Sequence, residues 1–418
     1  MARLSDDCFV LGDRLLSVEE AVAEFRSRLD TVTGIETVPL AAAEGRFLAE
    51  DLAADRPLPP HTNAAVDGYA VHADDLSPDA PTTLPVTGRA AAGHPLGRPG
   101  RRGEAIRIFT GAPLPAGPDT VVMQEDCSAE GDRVTVPPGL RRGAHVRQAG
   151  EDIRAGDTVL AAGRRLGPAE IGLAASLGRA ALPVRRPLRV AVLSTGDEVR
   201  EPGTPVAEGQ IHDANRYLLM ALLRRLGCSV TDRGIVSDRA ETVRSALTMA
   251  AAEVDAVVTS GGVSVGEEDH VKAALEAAGG RLHQWRLAIK PGKPVALGQI
   301  GGVPLLGLPG NPVAAMVTFL LVARPLLLHL AGAEPVPLRR FSVPAGFSHG
   351  KKPGRREFLR ATLEAGPSGA LVARRHGRDG AGTLSSLAGA EGLVELPEDA
   401  TGVAPGDPVA YIPLSALI

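Results

Sequence analysis

Between residues 187 and 331 short apolar runs alternate with helical patterns, and this rhythm limits the fold more than any other feature of the chain. Strands are expected at Leu188–Leu193, Ser229–Val236 and Ala256–Thr259, and helices at Arg216–Leu226, Arg239–Ala252 and Asp269–Ala278. Apolar stretches follow near 284–289, 294–299 and 303–308, and a helix opens at Pro312 after Asn311. Such alternation is the pattern of a doubly wound, mainly parallel α/β sheet. Ligands of open α/β sheets bind beyond the carboxyl ends of the strands.

The polar residues of this region fall at those ends. They form five loops: Ser194-Thr195-Gly196-Asp197-Glu198, Ser237-Asp238, Ser260-Gly261-Gly262-Val263-Ser264 running on to Asp269, Lys290-Pro291-Gly292-Lys293-Pro294, and Gly307-Leu308-Pro309-Gly310-Asn311. A Gly-rich loop ahead of a helix offers backbone N–H groups and a positive dipole end to an anion. The lysines add full charge. Carboxylates beside a phosphate make sense with Mg²⁺ between them. Together the loops predict a phosphorylated ligand and a divalent cation.

Composition bears on both points. Basic and acidic residues number 45 and 49, a net charge of −4, which argues against general nucleic-acid binding. Only five of the basic residues are Lys, and two of these are Lys290 and Lys293. Lys and Arg interchange where only charge matters, so a retained Lys suggests a need for a compact ammonium.

The rest of the chain reads as smaller modules. Residues 17–30 predict an amphipathic helix capped by Ser17, with Glu20 completing a capping box. Residues 56–144, rich in Gly, Pro and short β-like runs, predict a β module, and 151–185 a turn, a strand at Thr158–Leu160 and a helix opened by Pro168. The Pro-rich 334–337 stretch marks a boundary before a second β module. Its 339–378 segment carries ten Lys/Arg against two Glu, which suits a small oxyanion. The three Cys are scattered, giving no disulfide framework and predicting a reducing cytoplasm. The N-terminus has no apolar stretch of signal-peptide type, and the apolar segment Val313 to Leu330, interrupted by Arg324, Pro325 and His329, reads as a buried helix rather than a membrane span.

Three motifs mislead. Gly262-Val263-Ser264-Val265-Gly266 matches a hydrolase nucleophile elbow, but three acidic residues follow it at once. A Walker loop fails because Lys293 is followed by Pro. His212-Asp213 precedes Asn215, expected as a helix cap, so turn chemistry is its expected role.

Read as a set, the stretches AAVDGYAV (64–71), RIFTGAPLPAGPDTVVMQED (107–126), VRQAGEDI (146–153), LSTGDEV (193–199), GQIHDANRY (209–217), SGGVSVGEEDHVK (260–272), AIKPGKPVALG (288–298), LGLPGNPVA (306–314) and GRREFLRA (354–361) resemble the MoeA family of molybdopterin molybdenumtransferases, related to the gephyrin E domain. The resemblance implies four parts: a linking domain from 10–55 and 145–186, an inserted β module at 56–144, a molybdopterin-binding α/β domain at 187–331 and a C-terminal β module at 335–418. It implies a cytoplasmic homodimer whose active sites lie between subunits, with no nucleic acid or membrane as partner. Molybdopterin adenylyltransferase-type and downstream cofactor-maturation proteins are its implied partners.

The implied reaction inserts molybdate into adenylylated molybdopterin with Mg²⁺-dependent release of AMP. The matching catalytic positions are Asp67, Thr110, Glu198, Asp238, Asp269 and Lys290, with Asp67, Glu198, Asp238 and Asp269 as the metal set. Substrate and molybdate binding falls to Ser194, Thr195, Gly196, Ser260, Gly261, Gly262, Ser264, Lys293, Pro294, Pro309, Asn311, Arg355, Arg356 and Ser386. The chain departs from the family at Arg286, where Lys is common, and at His212, where Tyr is frequent. A molybdopterin adenylyltransferase-like enzyme and a non-catalytic pterin-binding scaffold are the alternatives. Gly261-Gly262-Val263-Ser264 in place of Gly-Gly-Thr-Gly argues against the first, and the lack of room for accessory domains argues against the second.

Overall fold

The computed structural model describes residues 15–261, 270–366, 369–378 and 380–417. The chain divides into two compact units. One takes in the described residues of Met1–Ala49, Ala162–Leu166 and Leu182–Ile418, the other Glu50–Ala161 and Gly167–Ala181.

The first unit is organised by a seven-stranded sheet. Its order is Leu15–Leu16, Arg281–Leu287, Pro294–Ile300, Val303–Leu308, Ala256–Ser260, Arg189–Thr195, Ser229–Val236. Four of the pairings are parallel. The central strands are buried on both faces, as parallel strands between helices must be. Alternation then divides the core. Val190 and Val192 pack with Leu219 and Leu223 of the Asn215–Arg225 helix. Ala191 and Leu193 pack on the other side with Val243 and Leu247 of the Ala240–Glu253 helix. Truncating any of these buried leucines to Ala would cost about 2–5 kcal/mol.

Two pairings are antiparallel, so the sheet is mixed. The cause is local. Pro294–Ile300 and Val303–Leu308 are separated only by Gly301-Gly302, both at positive φ (56° and 88°), the geometry of a two-residue hairpin. The helical run Pro312–Leu330 is apolar and long enough to cross a membrane but is 78% buried, and it serves as a core helix.

The expected Ser17 cap is present. Ser17 Oγ accepts from Glu20 N at 3.1 Å and Glu20 Oε2 accepts from Ser17 N at 2.9 Å. Asn215 is not the helix cap. It is the first helical residue, and Asp213 Oδ1 accepts from Arg216 N instead, at 3.1 Å. The Asn215 amide is occupied elsewhere: Nδ2 donates to Ser260 Oγ (2.8 Å) and to the Gly310 carbonyl (2.6 Å). His212 sits within turn contacts, its Nε2 2.9 Å from the Thr204 carbonyl.

The C-terminal residues form a second sheet in the same unit, ordered Ile289–Lys290, Arg356–Ala365, Gly392–Leu396, Pro408–Pro413, Phe341–Pro344, with Leu371–Arg375 also on Arg356–Ala365. Its first strand comes from the Lys290 loop of the α/β region. The pairing is parallel, with Ile289 opposite Arg356 and Lys290 opposite Glu357.

The second unit holds a six-stranded β sheet, ordered Thr120–Met123, Gly68–Val71, Ala105–Ile108, Thr82–Ala90, Arg133–Val136, Ser128–Glu130. The Leu52–Ala53 and Thr158–Leu160 strands pair within this unit. Ile35–Pro39 pairs with Ala181–Arg185.

Candidate active site

In the first unit a cavity of about 740 Å³ lies where the α/β strand ends meet the C-terminal sheet. One side is built from α/β loops: Glu198, Gly261, Lys290, Pro294, and Pro309 to Asn311. The facing side is the C-terminal strand: Arg355, Glu357 and Arg360, with His349 beside them.

Local chemistry explains why the loops hold their places. Asn215 ties the Ser260 and Pro309–Gly310 loops through its two donated hydrogen bonds. Asn311 precedes the Pro312 helix without a side-chain capping bond, and it lines the cavity. The first turn is closed by the backbone instead: Pro312 has no N–H, and the Val313 N–H donates to the Ala381 carbonyl at 2.9 Å. Gly292 packs the lysine loop against that helix. A Cβ there would lie 2.4 Å from Thr318 Oγ1, and its φ of 106° favours glycine.

The charged wall is ordered in detail. Lys290 Nζ donates to Glu357 Oε1 at 3.0 Å. Glu357 Oε2 lies 2.9 Å from His349 Nε2, and His349 Nδ1 lies 3.4 Å from Arg375 Nη1. A guanidinium can only donate, so Nδ1 accepts and Nε2–H donates to Glu357. Burial opposes ionisation of Glu357, but the hydrogen bonds from His349 and Lys290 outweigh it and hold its carboxyl below the ordinary glutamate value. Arg360 is buried. Its Nε donates to Ser386 Oγ (3.0 Å) and its Nη2 to the Arg378 carbonyl (2.8 Å).

The structure thus brings Glu198, Gly261, Lys290, Pro294, Pro309, Asn311 and Arg355 together around one space. Ser194, Thr195 and Ser260 are buried struts behind it. Ser194 Oγ donates to Asp213 Oδ1 (3.1 Å) and Ser260 Oγ to the Pro309 carbonyl (3.3 Å). Gly196 is buried in the Glu198 loop. Lys293 neighbours the cavity through Gly292 and Pro294 without lining it. Of the two adjacent arginines, Arg355 lines the cavity, whereas Arg356 is engaged by Glu19 (2.6 Å), Glu395 (3.0 Å) and Glu398 (3.0 Å). Ser386 is buried and reaches the cavity only through Arg360.

Asp238 and Asp197 exchange hydrogen bonds between their loops, each N–H donating to the other carboxylate at 3.2 Å. Gly262, Ser264 and Asp269 lie outside the described residues. Among the described residues no three His, Cys, Asp or Glu side chains cluster to hold a metal.

Glu357, His349 and Arg360 escaped the sequence reading. The signal was there: a charged Glu and Arg inside the apolar alternation of a strand need buried partners.

Asp67 and Thr110 lie in the second unit and are bonded to each other. Thr110 N and Oγ1 both donate to Asp67 Oδ1, at 2.8 and 2.7 Å. These two bonds hold the Asp67 carboxyl below the ordinary aspartate value. Arg107 stacks on Tyr69 and Phe109 nearby, at 5.1 and 4.6 Å from the ring centres.

Three family models match in chain order. They are the MoeA N-terminal region (domains I and II) at 16–178, a probable molybdopterin-binding domain at 191–329 and the MoeA C-terminal region (domain IV) at 342–414. The molybdopterin molybdenumtransferase of Haemophilus influenzae is 37% identical over 406 residues, covering 97% of this chain and 100% of that protein. Molybdopterin molybdenumtransferase 2 of Mycobacterium tuberculosis is 38% identical over 379 residues, covering 88% of this chain and 93% of that protein. Two solved structures of the molybdopterin biosynthesis MoeA protein from Pyrococcus horikoshii are also similar. One is 32% identical at a TM-score of 0.76, covering 96% of this chain and 99% of that one. The other is 28% identical at a TM-score of 0.81, covering 96% and 100%. The chain belongs to the MoeA family of molybdopterin molybdenumtransferases.

Proposed function

We propose that the cavity between the α/β loops and the C-terminal strand is where this molybdenumtransferase inserts molybdate into molybdopterin, and that the pterin arrives adenylylated and leaves AMP behind. One observation carries the reading: Lys290, Arg355 and Arg360 share the lining of one cavity, so a tetrahedral dianion and a phosphate meet several cations together. The thiol chemistry belongs to the ligand's dithiolene. Burial raises the Cys127 thiol to about 11 and the Cys228 thiol to about 12, so neither is a ready thiolate. Protonated, scattered cysteines also suit a reducing cytoplasm.

Mg²⁺ fits the donor set. Glu198 is exposed at the cavity, and its carboxylate has no hydrogen bond or ion pair among the described residues. Magnesium commonly takes one or two carboxylates together with substrate phosphates. Glu198 and Asp238 would hold it, and it would polarise the pyrophosphate when bound. Lys290 and Arg355 bind and orient the oxyanion, and Arg360, braced by Ser386, keeps the wall positive.

The family resemblance supports a homodimer in which Asp67 and Thr110 serve the cavity of the other copy. Mixing an Asp67→Asn subunit with a Lys290→Ala subunit should then restore one working site, while each variant alone stays impaired. The direct test supplies adenylylated molybdopterin, Mg²⁺ and molybdate to the purified full chain. AMP and active cofactor should appear together. A folded sample that releases no AMP would refute the adenylylated substrate.

A further inference from the structure

We propose that Glu357 is the positioning residue for Lys290: it holds the ammonium at the cavity wall before the oxyanion arrives, and His349 fixes Glu357 from behind. The inference rests on the reading of the cavity given above and adds to it a residue pair with no assigned role.

Three observations carry it. The backbone first makes Lys290 and Glu357 neighbours: they stand opposite each other in the parallel pairing of Ile289–Lys290 with the C-terminal strand. Both oxygens of Glu357 are then committed, Oε1 to Lys290 at 3.0 Å and Oε2 to His349 at 2.9 Å. Finally, the burial is asymmetric. The Glu357 side chain is 5% exposed and that of Lys290 51%, so the anchor is rigid while the ammonium it holds faces the ligand space.

A lysine head on a four-carbon stem loses rotamer freedom when it captures a ligand, and an anchor removes part of that loss beforehand. The ammonium has three donors. One goes to Glu357, and two remain for an oxyanion. The orientation of Glu357 is set in turn by the His349 tautomer, since Arg375 donates toward Nδ1 and leaves the proton on Nε2. Arg360 donates to Ser386 and the Arg378 carbonyl, whereas Lys290 and His349 engage Glu357 directly, so removing Glu357 acts first on those two.

The test is a double-mutant cycle on the full-length protein, read as the rate of molybdenum insertion under excess enzyme. Glu357→Gln alone should raise the molybdate KM about tenfold with a smaller change in kcat, because an anchor pre-organises binding. In a Lys290→Met background the same substitution should change the rate less than about twofold, since its target is gone. Equal losses in both backgrounds would overturn the proposal and make Glu357 a general brace of the wall. No loss in either would overturn it as well. Full activity of Lys290→Met alone is a different failure, that of the cavity reading itself. If Glu357→Gln does not fold, His349→Leu replaces it in the same cycle. His349→Gln, which can still donate to Glu357, should restore the rate lost in His349→Leu, and a lack of rescue would remove His349 from the arrangement.

Discussion

Two carboxylates of this protein are held ionised by opposite means. Asp67 is half-buried in the β module, and Thr110 donates to its Oδ1 oxygen alone. Glu357 is buried in the C-terminal sheet, and both of its oxygens are engaged by Lys290 and His349. The difference separates two kinds of work. A carboxylate with a free, solvated oxygen can take up an outside cation or proton. One with both oxygens engaged and little exposure to water can hold other groups still, and would lose its partners by turning to a ligand.

The largest effect expected is at the group Glu357 holds. Lys290→Ala should lower the insertion rate by about a hundredfold to a thousandfold, the usual scale for losing a preorganised charge. Lys290→Arg sharpens the point. If a planar guanidinium restores full activity in the same assay, the compact ammonium is not what the site requires.

Stability should next respond at Lys351, a buried cation held by the second sheet for a purely structural reason. Its Nζ donates to the Pro397 (2.8 Å), Glu398 (3.2 Å) and Ala400 (2.8 Å) carbonyls. Lys351→Met should cost about 2–4 kcal/mol in urea unfolding followed by circular dichroism, because buried acceptors lose charged donors. Unchanged stability would mean that water replaces the ammonium.

Asp67→Asn probes the half-buried carboxylate. Asn can still accept from Thr110, so melting should be unchanged while kcat falls by about tenfold or more. A shifted melting temperature with normal kcat would place Asp67 among the structural carboxylates and break the contrast.

The smallest effect concerns Glu104, a structural carboxylate in the same module as Asp67. It accepts from Arg98 (2.6 Å), Thr87 (2.5 Å) and the Arg101 N–H (2.8 Å). The Arg98 hydrogen bond leads in holding its carboxyl at about 2, against burial that would raise it. Its folded value lies below the ordinary 4.5, so its stabilisation is complete above that pH and fades as pH falls from 4.5 toward 2. Glu104→Gln should cost about 1–2 kcal/mol at neutral pH, allowing for solvent screening, with the gap from the native protein closing in acid.

Much of the secondary structure was legible because its cues are local. Ser17 and Glu20 cap the first helix as expected, and Thr158–Leu160 and Pro168 open their elements at the expected places. The mixed sheet could have been read from Gly301-Gly302 between two apolar runs, but apolar runs alone do not reveal strand direction. The site was legible only from one side. Lys290 drew notice as a rare lysine, whereas its partner Glu357 lies 67 residues away and becomes visible only through strand pairing. Arg355 and Arg356 were indistinguishable by spacing, and only the acidic neighbours Glu19, Glu395 and Glu398 separate them. Lysine scarcity proved informative twice, since Lys351 also sits where three converging carbonyls suit an ammonium.

The two-residue strand Ile289–Lys290 belongs by sequence to the α/β domain and by hydrogen bonding to the C-terminal sheet. That makes the C-terminal region a poor candidate for a transplantable cassette. A chimera joining it to a relative's α/β domain must reproduce the pairing of residue 290 with 357. A one-residue offset would turn each side chain of the short strand to the opposite face and take the lysine away from its carboxylate. Exchange between relatives is therefore constrained less by the linker at 334–340 than by two residues of borrowed strand.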